Sequence, residues 1–456
     1  MVDVSPLVED MSPVSKLPVE ILSAFFREAF RWNSTNASNT ISHVSRTWRV
    51  IALDDPSLWS TIYLTGRKSR KPSRFIQLCL ARSKQNDLRV IYTNLSEFES
   101  HDKEVPPFDP AFLYLPRCRQ LELLFEERLN AHPIVEGLRQ ARAPKLVSFK
   151  LVILGGTTKD RPETYRPGNM FTGGAPMLTI MALEGVGVLQ CHASLSNITA
   201  LSLKGCRPYE RPCPDPFASE FVEFLREAAP TLRRLALDGN QVFRNHRADK
   251  PWSVVELPAL TKLCFGNVDE NDYIRDFWQF VKMPRLEDLS LYSIPVPLLA
   301  GVWAALEGQG GARVARLSLD NHSQPLEQLV AIFPNIQNLA IDWGNIHNVL
   351  ANAVAADRAC VASGERPAWP LLESLSISLN EPCGDNVEER LVRRFIRGRT
   401  AVGHPLKAVT LVGSKWPGPK YRLLRCAREH VRYVTFDASL ERLAREEYET
   451  QSEEDD

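Results

Sequence analysis

Three groupings in the 456-residue chain hold side chains or glycines at a spacing that could serve chemistry. Cys206 and Cys213 flank a proline-rich stretch, and two thiolates so placed could begin a zinc site, but no His pair stands beside them at ligand spacing. Two glycine-rich stretches, 308–311 and 155–160, could cradle a phosphate. The first lacks the Lys that a phosphate loop needs, and the second lacks a following helix, so both read as turns. Arg67, Lys68, Arg70, Lys71 and Arg74 crowd a short basic run without interleaved aromatics. It reads as a solvated linker between a first strand and a helix around Phe75–Leu80. GxxxxGK[ST], GxSxG and HExxH are absent, and the nine His are isolated. The chain is therefore read as non-catalytic, with no cofactor and no metal, and its chemistry must lie in binding.

Bulk properties narrow the partners. Lys+Arg and Asp+Glu number 55 each, and a zero balance argues against a general nucleic-acid or membrane-surface binder. The N-terminus has no basic and apolar leader pattern, and the longest apolar run, Leu298–Leu306, is too short to span a bilayer. Nine scattered cysteines, with no CxxC pair, suit reduced thiols and a cytoplasmic or nuclear setting.

Residues 16–64 are the clearest candidate for docking. Pro18 stands at a helix start, and Ile21, Leu22, Phe25, Phe26 and Ala29 follow as one apolar stripe. A polar break, 31–40, precedes a second helix carrying Ile41, Val44, Trp48 and Ile51. Fewer than about 50 residues cannot bury two such stripes alone, so they need each other and a partner.

The pair LPVEIL and VSRTWRVIALDDPSLWSTI, in order and about 25 residues apart, resembles the F-box, in the form common in proteins of mushroom-forming fungi. That resemblance implies binding to the Skp adaptor of a cullin-based ubiquitin ligase. It makes Leu17, Pro18, Ile21, Leu22, Phe25, Val44 and Trp48 the adaptor contacts. On the residues alone, the same helices also suit an N-terminal cap on a scaffold.

The remainder is repetitive. An apolar triplet φ-x-x-φ-x-φ begins at Cys118, Leu146, Leu178, Ile198, Leu232, Leu260, Leu286, Val314, Ile336, Leu372, Leu406 and Val431. Trp59 with Ile62 and Leu64, and Leu88 with Ile91, extend it toward the front. Pro stands two places before the first φ at 116, 144, 176, 230, 258, 284, 334 and 370. Its role is read as ending one helix and starting the next strand. The mean period, about 28 residues, resembles leucine-rich repeats. Helices are expected in 216–230, 271–284, 325–334 and 386–398. The polar stretches 96–109, 155–175 and 239–254 read as surface loops.

The fold class expected is α/β: a short helical unit followed by a curved repeat solenoid, parallel strands inside and helices outside. The divisions are 1–12, a disordered tail; 13–56, the F-box-like helices; 57–437, the solenoid; and 438–456, a capping helix with an acidic tail. Side chains alternate across a strand, so two columns flank a middle column of small residues. One reads Arg234, Lys262, Asp288, Arg316, Asn338; the other Asp238, Gly266, Tyr292, Asp320, Asp342. Asp288 is expected to neutralise Lys262 and Arg316, while Asp320 and Asp342 form an uncompensated acidic pair. These columns are the candidate client contacts. With the F-box resemblance, the expected function is a substrate-recognition subunit of an SCF-type ubiquitin ligase, or else a plain protein scaffold.

Overall fold

The apolar triplets become strands. In this computed structural model the described residues are 14, 17–32, 37–65, 74–94, 114–155, 170–186, 193–205, 218–239, 254–267, 273–309, 311–320, 326–342, 346–364, 367–378, 387–412 and 420–436. The proposed tails, the basic run at 66–73, residues 206 and 213, and most of the three polar stretches lie outside them. Contacts divide the described residues into two units, with the break between Gly185 and Leu195.

The first unit opens with α1 (Val19–Trp32), α2 (Ala37–Val44) and α3 (Arg46–Asp54), then a 3₁₀ turn at Pro56–Trp59. It continues through β1 (Thr61–Thr65), α4 (Arg74–Arg82), β2 (Leu88–Asn94), β3 (Cys118–Glu127), α5 (Arg128–Arg139), β4 (Ser148–Gly155) and β5 (Ile180–Glu184). Its strands pair in parallel and in chain order.

The second unit contains β6 (Ala200–Lys204), α6 (Ala218–Ala228), β7 (Arg234–Asp238), β8 (Val255–Glu256), β9 (Lys262–Gly266), α7 (Tyr273–Phe280), β10 (Val281–Lys282) and β11 (Asp288–Tyr292). It goes on with α8 (Val296–Gln309), β12 (Arg316–Asp320), α9 (Leu326–Ile332), β13 (Asn338–Asp342), α10 (Ile346–Ser363) and β14 (Ser374–Ser378). It closes with α11 (Val387–Ala401), β15 (Ala408–Val412), α12 (Lys420–His430) and β16 (Tyr433–Phe436). The main strands again pair in parallel, each with the next. β8 and β10 form a separate two-stranded pair that the repeat pattern does not announce.

Each main strand of the second unit starts two residues after the first apolar position of its triplet. The triplets point inward: Leu232, Leu235 and Leu237 are buried, as are Leu260, Leu263 and Phe265. Proline has a more local role than helix stopping. In Leu115–Cys118, Ala143–Leu146, Ala175–Leu178, Leu257–Leu260, Met283–Leu286 and Trp369–Leu372, the N–H of the first apolar residue donates to the carbonyl three places back. Pro is the second residue of each turn, where its fixed φ is already correct. Of the eight prolines, only Pro230 and Pro334 stand two residues after the end of an α-helix.

Two sequence expectations shift. In β2, Val90 and Tyr92 pair with Ile62 and Leu64 of β1, so Val90, not Ile91, holds the second inward position. A bulge at Leu88/Arg89, opposite the extra Arg119 of β3, moves the alternation by one residue. The end of the 155–175 stretch is also no free loop, because Met170 and Phe171 are buried. Phe171 and Thr172 donate to the Leu138 and Arg139 carbonyls, which satisfies the end of α5.

Helices α6, α7, α9 and α11 fall where expected, whereas α5, α8, α10 and α12 were not anticipated. α8 is apolar on most sides and buries Leu299, Val302, Trp303 and Leu306. No described helix is long and apolar enough to cross a membrane.

Candidate functional site

The three front helices divide their apolar residues between inside and outside. On α1, Leu22 and Phe26 are buried, while Ile21 and Phe25 remain 46% and 59% exposed. The single stripe read from the sequence is thus two adjacent ridges, one facing each way. Phe26 packs against Trp48 of α3, ring centroids 4.8 Å apart. Ile41, Ile51 and Ala52 complete the interior. Outside lie Leu17, Val19, Val44 and Val50.

Of the seven anticipated contact residues, Leu17, Pro18, Ile21, Phe25 and Val44 are exposed and Trp48 is half-buried. Leu22 is the exception. Its 3% exposure assigns it to the helical core, because i+4 spacing places it in line with Phe26. Val19 and Val50 are exposed apolar residues that pattern reading passed over. Val50, at 68% exposed, is the most exposed large apolar residue described.

The helices are joined firmly to β1. Trp59 and Leu58 are each 1% exposed, and Trp59 Nε1 donates to the Ala52 carbonyl at 2.7 Å. Arg82 lies over the Trp59 ring at 4.3 Å. Asp55 caps the 3₁₀ turn by accepting from Ser57 N at 3.0 Å, and its other oxygen accepts from Arg27 Nε at 2.8 Å. Burial alone would raise this carboxyl, but the hydrogen bonds from Ser57 and Arg27 outweigh it and hold it below its usual value. Ser45 caps α3 by accepting from Trp48 N.

The second surface is the outward strand face of the second unit. The register places Asp288 beside both Lys262 and Arg316. Asp288 Oδ2 accepts from Lys262 Nζ at 3.0 Å and from Arg316 Nε at 3.2 Å, as the column predicts. Arg234 is exposed and neighbours Lys262. In the other column, Asp238, Gly266 and Tyr292 are register partners. A Cβ on Gly266 would stand 2.6 Å from the Tyr292 ring and 2.3 Å from its carbonyl. The missing side chain lets Tyr292 lie across β9 to bond Asp238 and meet the Cys264 thiol. Burial first, then the Asp238 carboxylate, pushes the phenol well above its usual range. Asn267 donates to Asp238 at 2.7 Å.

The acidic pair expected at Asp320 and Asp342 is described only at Asp342. Asp342 is half-buried and already engaged, and the Asp320 side chain lies outside the described ones.

One buried charged cluster was not foreseen. Arg399 is fully buried, donating to the carbonyls of Ala368 at 2.9 Å and Trp369 at 3.1 Å. Asp357 of α10 lies 3.8 Å from it. Burial pushes Asp357 up to about 6, against the opposing pull of Arg399 and then His404. An Arg within the polar helix α11 gives no pattern signal of burial.

Comparison with known families matches residues 14–65 to the family described as F-box-like. These residues are the front helices with the 3₁₀ turn and β1, so they form an F-box-like domain. The chain matches no curated protein.

Proposed function

We propose that the chain is a non-catalytic substrate-recognition subunit of an SCF-type cullin ubiquitin ligase. F-box domains bind Skp adaptors, and the matched residues carry Leu17, Ile21, Phe25, Val44 and Val50 exposed. This exposure is the observation that carries the reading. A helical unit serving only as a cap would turn such residues inward, since leaving them in water forgoes about 25 cal/mol for each Å² of apolar surface.

The strands and helices after β1 are, in this reading, a leucine-rich-repeat-like scaffold. Its period, its short parallel strands and the helices between many of them support that assignment. The scaffold holds a protein client through its outward strand face, with Arg234, Lys262, Asp288 and Arg316 in one column and Asp238, Tyr292, Asp320 and Asp342 in the other. Ubiquitin transfer then follows from proximity, because capture raises the effective concentration of client lysines at a thioester held by another subunit.

Reconstitution tests the reading. Purified chain, Skp adaptor and cullin should elute together, and Ile21→Ser with Phe25→Ser should release the adaptor from a folded chain. Failure of the folded wild-type chain to retain the adaptor refutes the assignment. Charge reversal at Lys262 and Arg316 should change the client set while sparing adaptor binding.

A further inference from the structure

The last two helices of the second unit are strongly basic. α11 and α12 together hold nine Lys and Arg against three Asp and Glu, a net charge of +6. Several of these charges are already answered. Arg399 is buried beside Asp357, Arg393 pairs with Glu389 at 2.7 Å, and Arg425 pairs with Glu429 at 2.9 Å. Arg390, Arg394 and Arg397 differ. They recur at i, i+4 and i+7 along α11, so they share one face, and all three are exposed. Among the described residues none of the three forms an ion pair. α11 packs against α12, and Arg397 hydrogen-bonds the Cys426 thiol there, so this stripe borders the α11–α12 seam.

The sequence supplies the opposite charge immediately afterwards. Residues 437–456 contain nine Asp and Glu against two Arg, a net charge of −7. From Glu446 to Asp456 there are seven acidic residues and no basic one. The described chain stops at Phe436 on β16, a strand in contact with α12. Packed helices lie about 8–10 Å apart, so the arginine stripe is on the order of 20 Å from that point. Twenty residues of extended chain reach roughly 60 Å.

We infer that the arginine face of α11, formed by Arg390, Arg394 and Arg397 at the α11–α12 seam, is the docking surface of the chain's own acidic segment 446–456. A short tether gives an effective concentration in the millimolar range, so contacts too weak to form between separate molecules suffice here. Arginine suits the role because its planar fork pairs carboxylates through two hydrogen bonds. The docked segment shields the face from other anions. It does not depend on the ligase reading and is tested without a ligase component.

The probe is a fluorescein-labelled synthetic peptide of residues 441–456. It should bind the chain ending at Phe436 at least tenfold more tightly than the full chain, whose own segment occupies the face. Binding should weaken steeply between 50 and 200 mM salt. Arg390→Glu, Arg394→Glu and Arg397→Glu together should reduce it at least tenfold. A second arm guards against misfolding of that variant. Arg394→Lys and Arg397→Lys keep the charge and supply amines, and carbodiimide treatment of the dilute full chain should join them to carboxylates of 446–456. Equal peptide binding by both chains, no binding by either, or cross-links confined to other carboxylates overturns the inference. So does a shortened chain that binds single-stranded RNA but not the peptide, which would assign the face to an external polyanion.

Discussion

Phe25 and Phe26 are neighbours in sequence with opposite roles, and substituting each to Ala separates binding from stability. Phe25 is 59% exposed. A Phe side chain buries about 150–250 Å² when covered, so about 120 Å² of Phe25 remains for a partner to cover. At about 25 cal/mol for each Å² this is about 3 kcal/mol. Ordering the side chain and its neighbours returns about 1 kcal/mol of that. Phe25→Ala should therefore weaken adaptor binding ten- to hundredfold, and leave the thermal midpoint almost unmoved. Phe26 is 2% exposed and lies against Trp48. Its truncation opens a cavity costing about 3–5 kcal/mol, so Phe26→Ala should lower the midpoint by several degrees and weaken adaptor binding only through unfolding. Titration calorimetry with purified adaptor, paired with scanning calorimetry of each variant, measures both quantities. Unchanged adaptor affinity in a folded Phe25→Ala chain would refute the reasoning, because the exposed ridge of α1 would then bear no part of the contact.

Three further outcomes are expected. Gly266→Ala forces a methyl into the Tyr292 backbone and ring, and should lower stability by about 1–3 kcal/mol; an unchanged denaturation midpoint would show that β11 yields freely. The raised Asp357 carboxyl favours the folded state fully below its unfolded value of 3.8, and that contribution is lost as pH rises through about 6. Stability should thus decline by up to about 3 kcal/mol across that window, and Asp357→Asn should flatten the decline in a series of denaturant titrations. A Gly-rich insertion after Leu53 separates Ala52 and Arg27 from Trp59 and Asp55 while leaving Leu17–Trp48 intact. It should spare adaptor binding and reduce client ubiquitination several-fold; equal ubiquitination would show that the joint need not be rigid.

The strands were legible because inward burial imposes a period of two, and an apolar triplet after a turn leaves little choice of face. The pairing of Asp288 with Lys262 and Arg316 followed from that register alone. Where the period is interrupted, legibility failed. The bulge beside Leu88 moved the inward position from Ile91 to Val90, a one-residue change that composition does not reveal. In the front helices, apolar pattern identified the elements but not which ridge would be covered. Leu22 and Ile21 are equally apolar, and only packing within the helical unit decides between them. The Tyr292–Asp238 contact spans three strands and depends on what Gly266 lacks. The Asp357–Arg399 cluster depends on burial within a helix whose sequence reads as polar.

The constant register of the second unit has one further consequence. Arg316 and Asn338 are partners across 22 residues, and Asn338 and Ser374 across 36, yet neither pairing slips. Differences in connection length are absorbed between strands, so every outward side chain keeps a fixed address on the face. A substitution at one address changes one element of the displayed pattern and shifts none of the others. A surface so organised can be rewritten residue by residue, so under the proposed reading the client could change without a prior change of fold.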